Sequence, residues 1–311
     1  MAKLSVIIPC YYNEANIPVT AAALLAAEAQ YPAGTQIEYV WVDDGSRDQT
    51  FGALLQFHYR HPDRVRIVRL AGNVGSYNAI VAGMQYATGD CCAVIAADLQ
   101  DPPEILVRMY EKWCAGHKLV IANRTGRSDG WLSDRLSGLY HRLIRRYAIH
   151  NLPEGGFDVA LFDARLREEV VKMSEKNTNT LYLLPYMGFD PVCLPYERQK
   201  RRIGRSRWTL SKKIKLFIDS FISFSFLPVR LITAGGLLLG TVAMLYALFI
   251  VVCRISGVIH VEGWSTLMVV LLFVSAFQMI AIGIVGEYVW RTLDAARHRP
   301  MYIVDQIVET T

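Results

Sequence analysis

The sequence predicts an α/β protein, in which a mostly parallel, doubly wound sheet is followed by an interfacial helix and two transmembrane helices. Two observations lead to this prediction. Through the first 124 residues, apolar runs typical of buried strands alternate with segments typical of helices, which is the pattern of parallel sheets with helical crossovers. Nearer the carboxyl terminus, two stretches of 23 residues each contain no Asp, Glu, Lys, Arg or His.

Each predicted strand is an apolar run that ends in turn-forming residues. The runs cover residues 4–10, 39–42, 65–70, 93–97 and 119–122. Helices are expected at 21–29, at 49–59, in the Ala-rich segment after Gly75, and at 103–114. Asp48 and Asp101 precede the second and fourth of these helices, and we expect their side chains to cap them.

Polar side chains gather where these strands end, at the predicted carboxyl edge of the sheet. They are Glu14, Asp43, Asp44, Asn73, Asp98, Gln100 and Arg124. Ligands of open α/β sheets bind at this edge. Asp98, Gln100 and Asp101 offer the oxygen ligands that Mg²⁺ or Mn²⁺ prefers, commonly together with substrate phosphates. Each group could instead cap a helix, but their recurrence at four successive strand ends favours a binding site.

Two common phosphate-binding loops do not occur in the sequence. No Gly-x-Gly-x-x-Gly follows the first strand, and no Gly-x-x-x-x-Gly-Lys-Ser/Thr occurs anywhere. A nucleotide bound at this edge would therefore use carboxylates for its base and ribose, and a metal for its phosphates.

The two uncharged stretches are residues 231–253 and 264–286. As a helix, each would be roughly 34 Å long at about 1.5 Å per residue, enough to cross a hydrocarbon core of about 30 Å. Apolar side chains also recur at helical spacing over 214–224, just after a basic segment. This pattern predicts an amphipathic helix in the membrane interface, with a core helix as the alternative. The predicted domains are residues 1–206, the interfacial region 207–228, and a membrane domain with a cytoplasmic tail at 229–311.

Positive charge is concentrated between Arg198 and Lys215, where nine basic residues occur without an acidic one. By the positive-inside rule, this charge predicts that both termini are cytoplasmic. Attraction to anionic head groups explains the basic segment as readily as capture of a phosphate does, and nucleic acid is not an expected partner. The six cysteines would face a reducing compartment or lipid, so we expect no disulfides.

Several motifs together resemble glycosyltransferase family 2. They are Val6-Ile7-Ile8-Pro9 with Asn13-Glu14, Val42-Asp43-Asp44-Gly45-Ser46, Asn73-x-Gly75, and Asp98-Leu99-Gln100-Asp101-Pro102-Pro103-Glu104. Later elements resemble the membrane-bound polyisoprenyl-phosphate glycosyltransferases of that family, which include dolichol-phosphate mannose synthases and bactoprenol glucosyltransferases. These elements are Gly204-x-Ser206, Ser223-Phe224-Ser225, Pro228-x-Arg230 and Gly286-Glu287-Tyr288. The likeness covers nearly the whole chain.

The resemblance implies a GT-A catalytic domain at the cytoplasmic face of a bacterial inner membrane. The implied reaction transfers one hexose from a nucleotide sugar to a polyisoprenyl phosphate. UDP-glucose is the favoured donor, UDP-N-acetylglucosamine is next, and undecaprenyl phosphate is the implied acceptor. A homo-oligomer is also implied, with a tetramer as the guessed copy number.

Matching motif positions gives the candidate residues their roles. The implied nucleotide-sugar site consists of Pro9, Asn13, Glu14, Asp43, Asp44, Asn73, Asp98 and Arg124. Asp98 and Gln100 would hold Mg²⁺ or Mn²⁺. The implied lipid-phosphate site consists of Arg124, Arg135, Arg201, Ser206 and Arg207. The implied catalytic residues are Asp98 and Asp158, and Asp158 could be a base, a nucleophile, a group that orients the sugar, or simply the partner of an arginine.

The chain departs from the commoner family pattern at four positions. Ser76, Ala96, Ala160 and Arg207 stand where Lys, Asp, Arg and Lys are usual. Ala96 removes one carboxylate from the usual Asp-x-Asp, which leaves the ribose contact and the identity of the donor open. Because Asp98 remains at the position that usually carries the metal, we expect an active enzyme.

The chemistry of the acceptor limits what the protein must supply. A phosphate monoester has its second pKa near 6, so the lipid phosphate is already ionised at pH 7 and needs placement more than a strong base. We therefore predict metal-dependent in-line displacement with inversion. One alternative is a processive polysaccharide synthase, although Gly204 replaces the first residue of its Gln-x-x-Arg-Trp motif. The other is a non-catalytic scaffold or flippase partner.

Overall fold

In a computed structural model the chain forms two compact units, Met1–Phe224 together with Pro300–Thr311, and Ser225–Arg299. The structure describes residues 2–124, 138, 141–153, 156–173, 176–199, 203, 218–220, 222–256 and 263–310. Most of the predicted interfacial region 207–228 lies outside these residues. Its described part includes helical residues at 218–220 and 222–224.

The first unit is built on an eight-stranded sheet in the part of the chain that the structure describes. The strands are β1 (Lys3–Cys10), β2 (Gln36–Asp43), β3 (Val65–Leu70), β4 (Cys91–Val94), β5 (Leu119–Arg124), β6 (Val159–Asp163), β7 (Val192–Tyr196) and β8 (Val304–Val308). Their order across the sheet is β7-β5-β6-β4-β1-β2-β3-β8. β6 and β8 run antiparallel to their neighbours, and the other neighbouring pairs are parallel. The predicted mostly parallel sheet is therefore confirmed.

Helices cover both faces of this sheet. They are α1 (Ile17–Glu28), α2 (Thr50–Arg60), α3 (Ser76–Tyr86), α4 (Glu104–Cys114), α5 (Ala164–Lys172) and α6 (Thr180–Tyr186), with further helical residues at 141–147. Val6 and Ile8 of β1 pack into one apolar core, whereas Ile7 between them packs into the other. Because successive side chains of a strand point to opposite faces, the sheet is buried on both sides, as its continuous apolar runs predict.

The strand that leads to Asp98 is shorter than predicted. β4 ends at Val94, and only the Ile95 amide continues its pairing, donating to the Ile7 carbonyl over 3.2 Å. Asp98 therefore lies on a loop four residues beyond the strand rather than at its tip. The prediction of a strand over 93–97 was wrong at both ends, because Cys91 and Cys92 belong to the strand as well.

The carboxyl-terminal segment, predicted to be a tail of the membrane domain, contributes a strand to the first unit. β8 pairs with β3, with Ile307 opposite Val68. The Ala71 amide donates to the Ile303 carbonyl over 2.9 Å, just beyond the end of β3. β3 is therefore covered by the last strand of the chain and is not an edge strand.

The second unit consists of two long helices, α7 (Leu227–Ile255) and α8 (Trp264–Ala296). The most apolar 18-residue windows of Leu227–Cys253 and Thr266–Ala296 have mean hydropathies of 2.5 and 2.6, and neither window is buried within the protein. By length and composition both helices can cross a membrane, as predicted. Within this unit they approach closely, since a Cβ at Gly235 would lie 3.0 Å from the Phe277 ring.

Candidate functional site

The end of β2 forms a turn around a buried carboxylate. Asp43 is fully buried, and its Oδ1 accepts a hydrogen bond from the Ser46 amide at 3.0 Å. Arg69 Nε lies 3.9 Å from Asp43 Oδ2. Burial raises the pKa of Asp43, although the hydrogen bonds from Ser46 and the charge of Arg69 oppose this shift. The side chain of Asp43 thus contacts its own turn and Arg69 of β3.

Asp44 joins this turn to the loop that follows β3. Its Oδ1 accepts from the Val74 amide at 2.7 Å, and its Oδ2 accepts from Asn73 Nδ2 at 2.7 Å and from the Gly75 amide at 3.0 Å. Burial raises the pKa of Asp44 to about 6, against the effect of the two backbone hydrogen bonds. The structure therefore brings two predicted site residues, Asp44 and Asn73, into direct contact.

Gly45 allows these two loops to approach so closely. Its φ is +65°, and a Cβ at this position would lie 2.6 Å from the Gly72 carbonyl carbon. Any side chain would clash with backbone there, so the Asp-Asp-Gly-Ser turn needs glycine for both conformation and space.

The loop after β1 is held by α2 and by the turn after β2. Asn13 accepts from the Tyr11 amide at 2.8 Å, and the Asn13 amide donates to Thr50 Oγ1 at 2.8 Å. The exposed Glu14 accepts from the Gln49 amide at 2.8 Å at the start of α2. Gln49, rather than the predicted Asp48, is the N-cap residue of α2, although Asp48 does accept from the Thr50 amide at 3.2 Å.

Two aromatic rings lie beside this loop. Tyr11 and Tyr12 pack edge to face, with their centroids 4.6 Å apart. Tyr12 has a φ of +54°, and its amide donates to Ser46 Oγ at 2.9 Å. Pro9, another predicted site residue, lies in β1 opposite Val42 of β2. The loop after β1 and the turn after β2 are thus in contact through Tyr12 and Ser46.

The loop after β4 presents Asp98 and Gln100 around a left-handed residue. Asp98 Oδ1 accepts from the Gln100 amide at 3.1 Å, and Leu99 between them has a φ of +52°. This conformation costs roughly 1–2 kcal/mol for a residue with a Cβ and is typical of functional loops.

The donor set of this loop fits a divalent cation that is held largely by its substrate. Among the described residues, no group of three or more His, Cys, Asp and Glu side chains could hold a metal. Asp98 supplies one carboxylate and Gln100 one amide oxygen. Mg²⁺ is commonly bound by one or two carboxylates together with substrate phosphates and water, and two oxygen ligands suit that arrangement.

Asp101 does not cap α4, contrary to the sequence-based expectation. Pro103 is the N-cap residue, and it makes no side-chain cap bond. The Asp101 side chain is instead fully buried, and its Oδ1 accepts from the Tyr196 hydroxyl at 2.5 Å. Arg198 Nε lies 3.6 Å from the same oxygen. The carboxylate is directed toward the end of β7 rather than along its own helix.

Asp158 lies between two arginines at the same edge of the sheet. Because β6 is antiparallel to β4 and β5, its beginning meets their ends, and Asp158 is the residue before it. Arg124, the last residue of β5, forms an ion pair with Asp158, and Arg198 Nη2 lies 3.8 Å from Asp158 Oδ2. Arg124 is also opposite Tyr196 in the β5–β7 register. The structure therefore joins the predicted residues Arg124 and Asp158.

Tyr196 and Arg198 are contributors that the sequence did not single out. Tyr196 ends a run interrupted by Pro195, and Arg198 begins the basic segment, so the pattern predicts only a weak strand followed by a charged loop. Burial raises the pKa of Tyr196, Asp101 raises it further, and Arg124 opposes the shift. Four predicted residues of the lipid-phosphate site, Arg135, Arg201, Ser206 and Arg207, lie outside the described part of the chain.

Comparisons with known proteins agree with this fold and these motifs. The profile described as glycosyl transferase family 2 matches residues 5–219. The uncharacterized glycosyltransferase YkcC of Bacillus subtilis is 32% identical over 98% of this chain and 94% of its own length. The prophage bactoprenol glucosyl transferase homolog of Escherichia coli is 30% identical over 98% of this chain and 99% of its own. Mannosyl-3-phosphoglycerate synthase from Rubrobacter xylanophilus shares the fold, with a TM-score of 0.51 and 17% identity over 70% of this chain and 71% of that one.

Proposed function

The chain belongs to glycosyl transferase family 2, and from this premise we propose that it transfers one hexose from a nucleotide sugar to a polyisoprenyl phosphate at a membrane surface. The chain is a glycosyltransferase with a GT-A fold, so the alternative of a non-catalytic scaffold is set aside. The relatives named bactoprenol glucosyl transferases align with nearly the whole of this chain, including its two apolar helices. This full-length likeness supports a lipid-linked acceptor for this chain and disfavours a processive synthase.

The placement of β8 supports the proposed topology. Residues before α7 and after α8 belong to the same compact unit and the same sheet. A sheet with polar loops cannot straddle a hydrocarbon core, so this arrangement supports a topology in which both ends of the two-helix segment leave a bilayer on one side. Together with the basic segment at 198–215, this connectivity supports a cytoplasmic first unit with both termini on its side of a bacterial inner membrane.

We assign the nucleotide sugar to the loops after β1, β2 and β3, and its diphosphate to the loop after β4. Asn13, together with the hydrogen-bonded pair Asp44 and Asn73, would supply hydrogen-bonding groups for a base and ribose. Asp98 and Gln100 would hold Mg²⁺ or Mn²⁺, and a bound divalent ion would neutralise the charge that develops on the leaving diphosphate. UDP-glucose remains the favoured donor and UDP-N-acetylglucosamine the second, with undecaprenyl phosphate as acceptor.

The arginines around Asp158 support the proposed handling of the acceptor. Two guanidinium groups converge on one carboxylate beside the Asp98 loop, and Arg198 also faces Asp101, so two positive and two negative charges lie together. The guanidinium groups can form charge-assisted hydrogen bonds with a phosphate. Asp158 fixes the direction of both arginines and is itself 46% exposed, so it can also contact a sugar hydroxyl. An already ionised lipid phosphate then attacks the anomeric carbon as the nucleoside diphosphate leaves, with inversion.

The convergence of Arg124 and Arg198 on Asp158 is the observation that carries this proposal, and a transfer assay tests it. Purified full-length protein in lipid nanodiscs would be incubated with undecaprenyl phosphate, Mn²⁺ or Mg²⁺, and radiolabelled UDP-glucose or UDP-N-acetylglucosamine. We expect a labelled glycolipid with one of the two donors. Asp98→Asn should lower turnover by about 10²-fold or more, as expected when a charge-stabilising group is lost. No lipid-linked product with either UDP-sugar would refute the proposed donor, and full activity of Asp98→Asn without metal would refute the metal site.

A further inference from the structure

Asp101 is the third oxygen-bearing side chain of the Asp-Leu-Gln-Asp loop, and its surroundings differ from those of the other two. It is fully buried, whereas Asp98 is 9% exposed and Gln100 is partly exposed. Its Oδ1 accepts from the Tyr196 hydroxyl, and its Oδ2 is buried with no hydrogen-bond partner among the described residues. A carboxylate enclosed in this way has no open coordination position to offer a substrate-bound cation.

The same loop is joined to the end of β7 at three points. Besides the bond between Asp101 and Tyr196, Arg198 Nε lies 3.6 Å from Asp101 Oδ1. The Gln199 amide also donates to the Gln100 carbonyl over 2.8 Å. Residues 196–199 therefore run along the loop that carries Asp98 and Gln100, separated from it by about a hundred positions in the chain.

Arg198 extends this connection to the acceptor side of the site. Its Nη2 lies 3.8 Å from Asp158 Oδ2, while its Nε faces Asp101, so one guanidinium spans two carboxylates. The planar guanidinium has donors in a fixed arrangement, and fixing one side of it limits where the other side can point. The position of Asp101 thus determines how Arg198 meets Asp158.

We propose that Asp101 is a positioning residue that anchors Tyr196 and Arg198 at the end of β7, holds Arg198 against Asp158, and supplies no ligand to the metal. The anchoring itself is independent of the reaction, whereas its effect on turnover rests on the proposed function. As a consequence of the anchoring, the loop proposed to bind the donor diphosphate and the beginning of the basic segment form one rigid structure. Loss of the anchor should misplace the acceptor while leaving donor and metal binding intact.

Three variants of the full-length protein in nanodiscs test this proposal. Asp101→Asn removes the charge that Arg198 faces, and Tyr196→Phe removes only the hydroxyl bond. Asp98→Asn is the matched control, because it changes a carboxylate of the same loop that is proposed to bind metal. Binding of Mn²⁺ in the presence of UDP is measured by the loss of the free-ion electron paramagnetic resonance signal, and amide hydrogen exchange is followed over residues 196–199.

We expect Asp101→Asn and Tyr196→Phe to bind Mn²⁺ with UDP as the unchanged protein does, while Asp98→Asn does not. Amides at 196–199 should exchange about tenfold faster or more in both anchor variants, because local opening no longer breaks the anchor. In the transfer assay, turnover should fall by roughly 10–100-fold with the KM for UDP-sugar unchanged, the cost of a misplaced reactant. Added metal should not restore turnover in either variant.

Two results would overturn the proposal. If Asp101→Asn lost Mn²⁺ binding as Asp98→Asn does, Asp101 would be a metal ligand. If exchange at 196–199 were unchanged in Tyr196→Phe, the hydroxyl bond would not anchor the segment. Tyr196→Phe keeps the test decisive should Asp101→Asn fail to fold. Absence of sugar transfer by the unchanged protein would refute the proposed function instead, and the exchange measurement would still decide the anchor.

Discussion

The carboxylate of Asp44 accepts a 2.7 Å hydrogen bond from the side-chain amide of Asn73, and so ties the end of β2 to the loop after β3. Both residues belong to the proposed nucleotide site. With the amides of Val74 and Gly75 on the same carboxylate, Asp44 holds the loop after β3 in place. Its protonation state therefore affects how firmly this loop is held.

We predict that donor binding weakens as the pH falls through about 6. Burial raises the pKa of Asp44 to about 6, so the carboxylate loses its charge between pH 7 and pH 5 and accepts these three hydrogen bonds less well. The pH dependence of the free energy of unfolding has the opposite sign. A carboxyl group whose pKa is raised by folding stabilises the folded state below the pKa of the unfolded chain, and this stabilisation is lost as the pH rises through the pKa of the folded state. Titrating UDP-glucose, whose diphosphate has no group that titrates in this range, into the protein at pH 5 to 8 measures the binding effect, and Asp44→Asn should bind weakly at every pH. If the affinity of Asp44→Asn still depended on pH, the dependence would belong to another group.

The close approach of Gly45 to Gly72 gives a second prediction. Gly45→Ala should weaken donor binding and lower the thermal midpoint, because its Cβ would lie 2.6 Å from backbone. Gly116→Ala is the matched control, since Gly116 also has a positive φ, +98°, but a Cβ there meets nothing within 4 Å. Both variants carry the conformational cost of about 1 kcal/mol, and only Gly45→Ala carries the clash. Equal effects of the two substitutions would mean that the approach of the loops does not matter.

Local patterns predicted the parts of the site that are close in sequence. The apolar runs that end in Asp43, Asp44 and Arg124 identify strands and their polar ends, because burial on both faces imposes continuous hydrophobicity. The pairing of Asp101 with Tyr196 could not be read in this way, since the two residues are 95 positions apart and each has an ordinary local role. A buried carboxylate next to a proline resembles a helix cap until its distant partner is known.

The same limit explains why β8 was not predicted. Its residues Val304 to Val308 alternate weakly and follow a long apolar helix, so the sequence resembles a polar tail. β8 gains its structure from pairing with β3, more than 230 residues earlier in the chain. Pairing with a distant strand, more than the intrinsic preference of five residues, determines a strand of this kind.

A third prediction concerns Glu38, which is buried near the beginning of β2, at the end of the sheet away from the candidate site. It accepts from Ser5 Oγ at 2.6 Å and from the amide and hydroxyl of Thr88 at 3.0 and 2.9 Å, with Lys3 and Arg66 nearby. Burial alone would raise the pKa of Glu38, but these hydrogen bonds and the charge of Lys3 outweigh it and lower the pKa below 4.5. Its stabilising effect is therefore present above that pH and is lost as the pH falls through the lowered pKa.

Glu38→Gln should accordingly destabilise the first unit by about 1–3 kcal/mol at pH 7, the range for leaving buried partners of a charged acceptor unsatisfied. The difference from the unchanged protein should shrink as the pH falls through the lowered pKa of Glu38, where its carboxylate becomes neutral. Thermal unfolding in detergent from pH 3.5 to 7.5 measures both effects, and Glu111→Gln at an exposed position of α4 is the control. A destabilisation that did not vary with pH would assign the effect to packing rather than to charge.

The last prediction concerns the return of the chain to the sheet. Deletion of residues 300–311 should lower the thermal midpoint and promote association, because β3 then becomes an exposed edge with unpaired backbone groups. It should also weaken UDP binding, since the Ala71 amide, two residues before Asn73, loses its bond to the Ile303 carbonyl. Glu309→Gln is the control. This substitution removes the 2.9 Å ion pair between Glu309 and Arg66. The Glu309 side chain is 59% exposed, and ion pairs of exposed side chains contribute about 1 kcal/mol or less. If the deletion changed stability and UDP binding no more than Glu309→Gln does, β8 would be a passive end of the chain, and the connectivity argument for the topology would lose its physical basis.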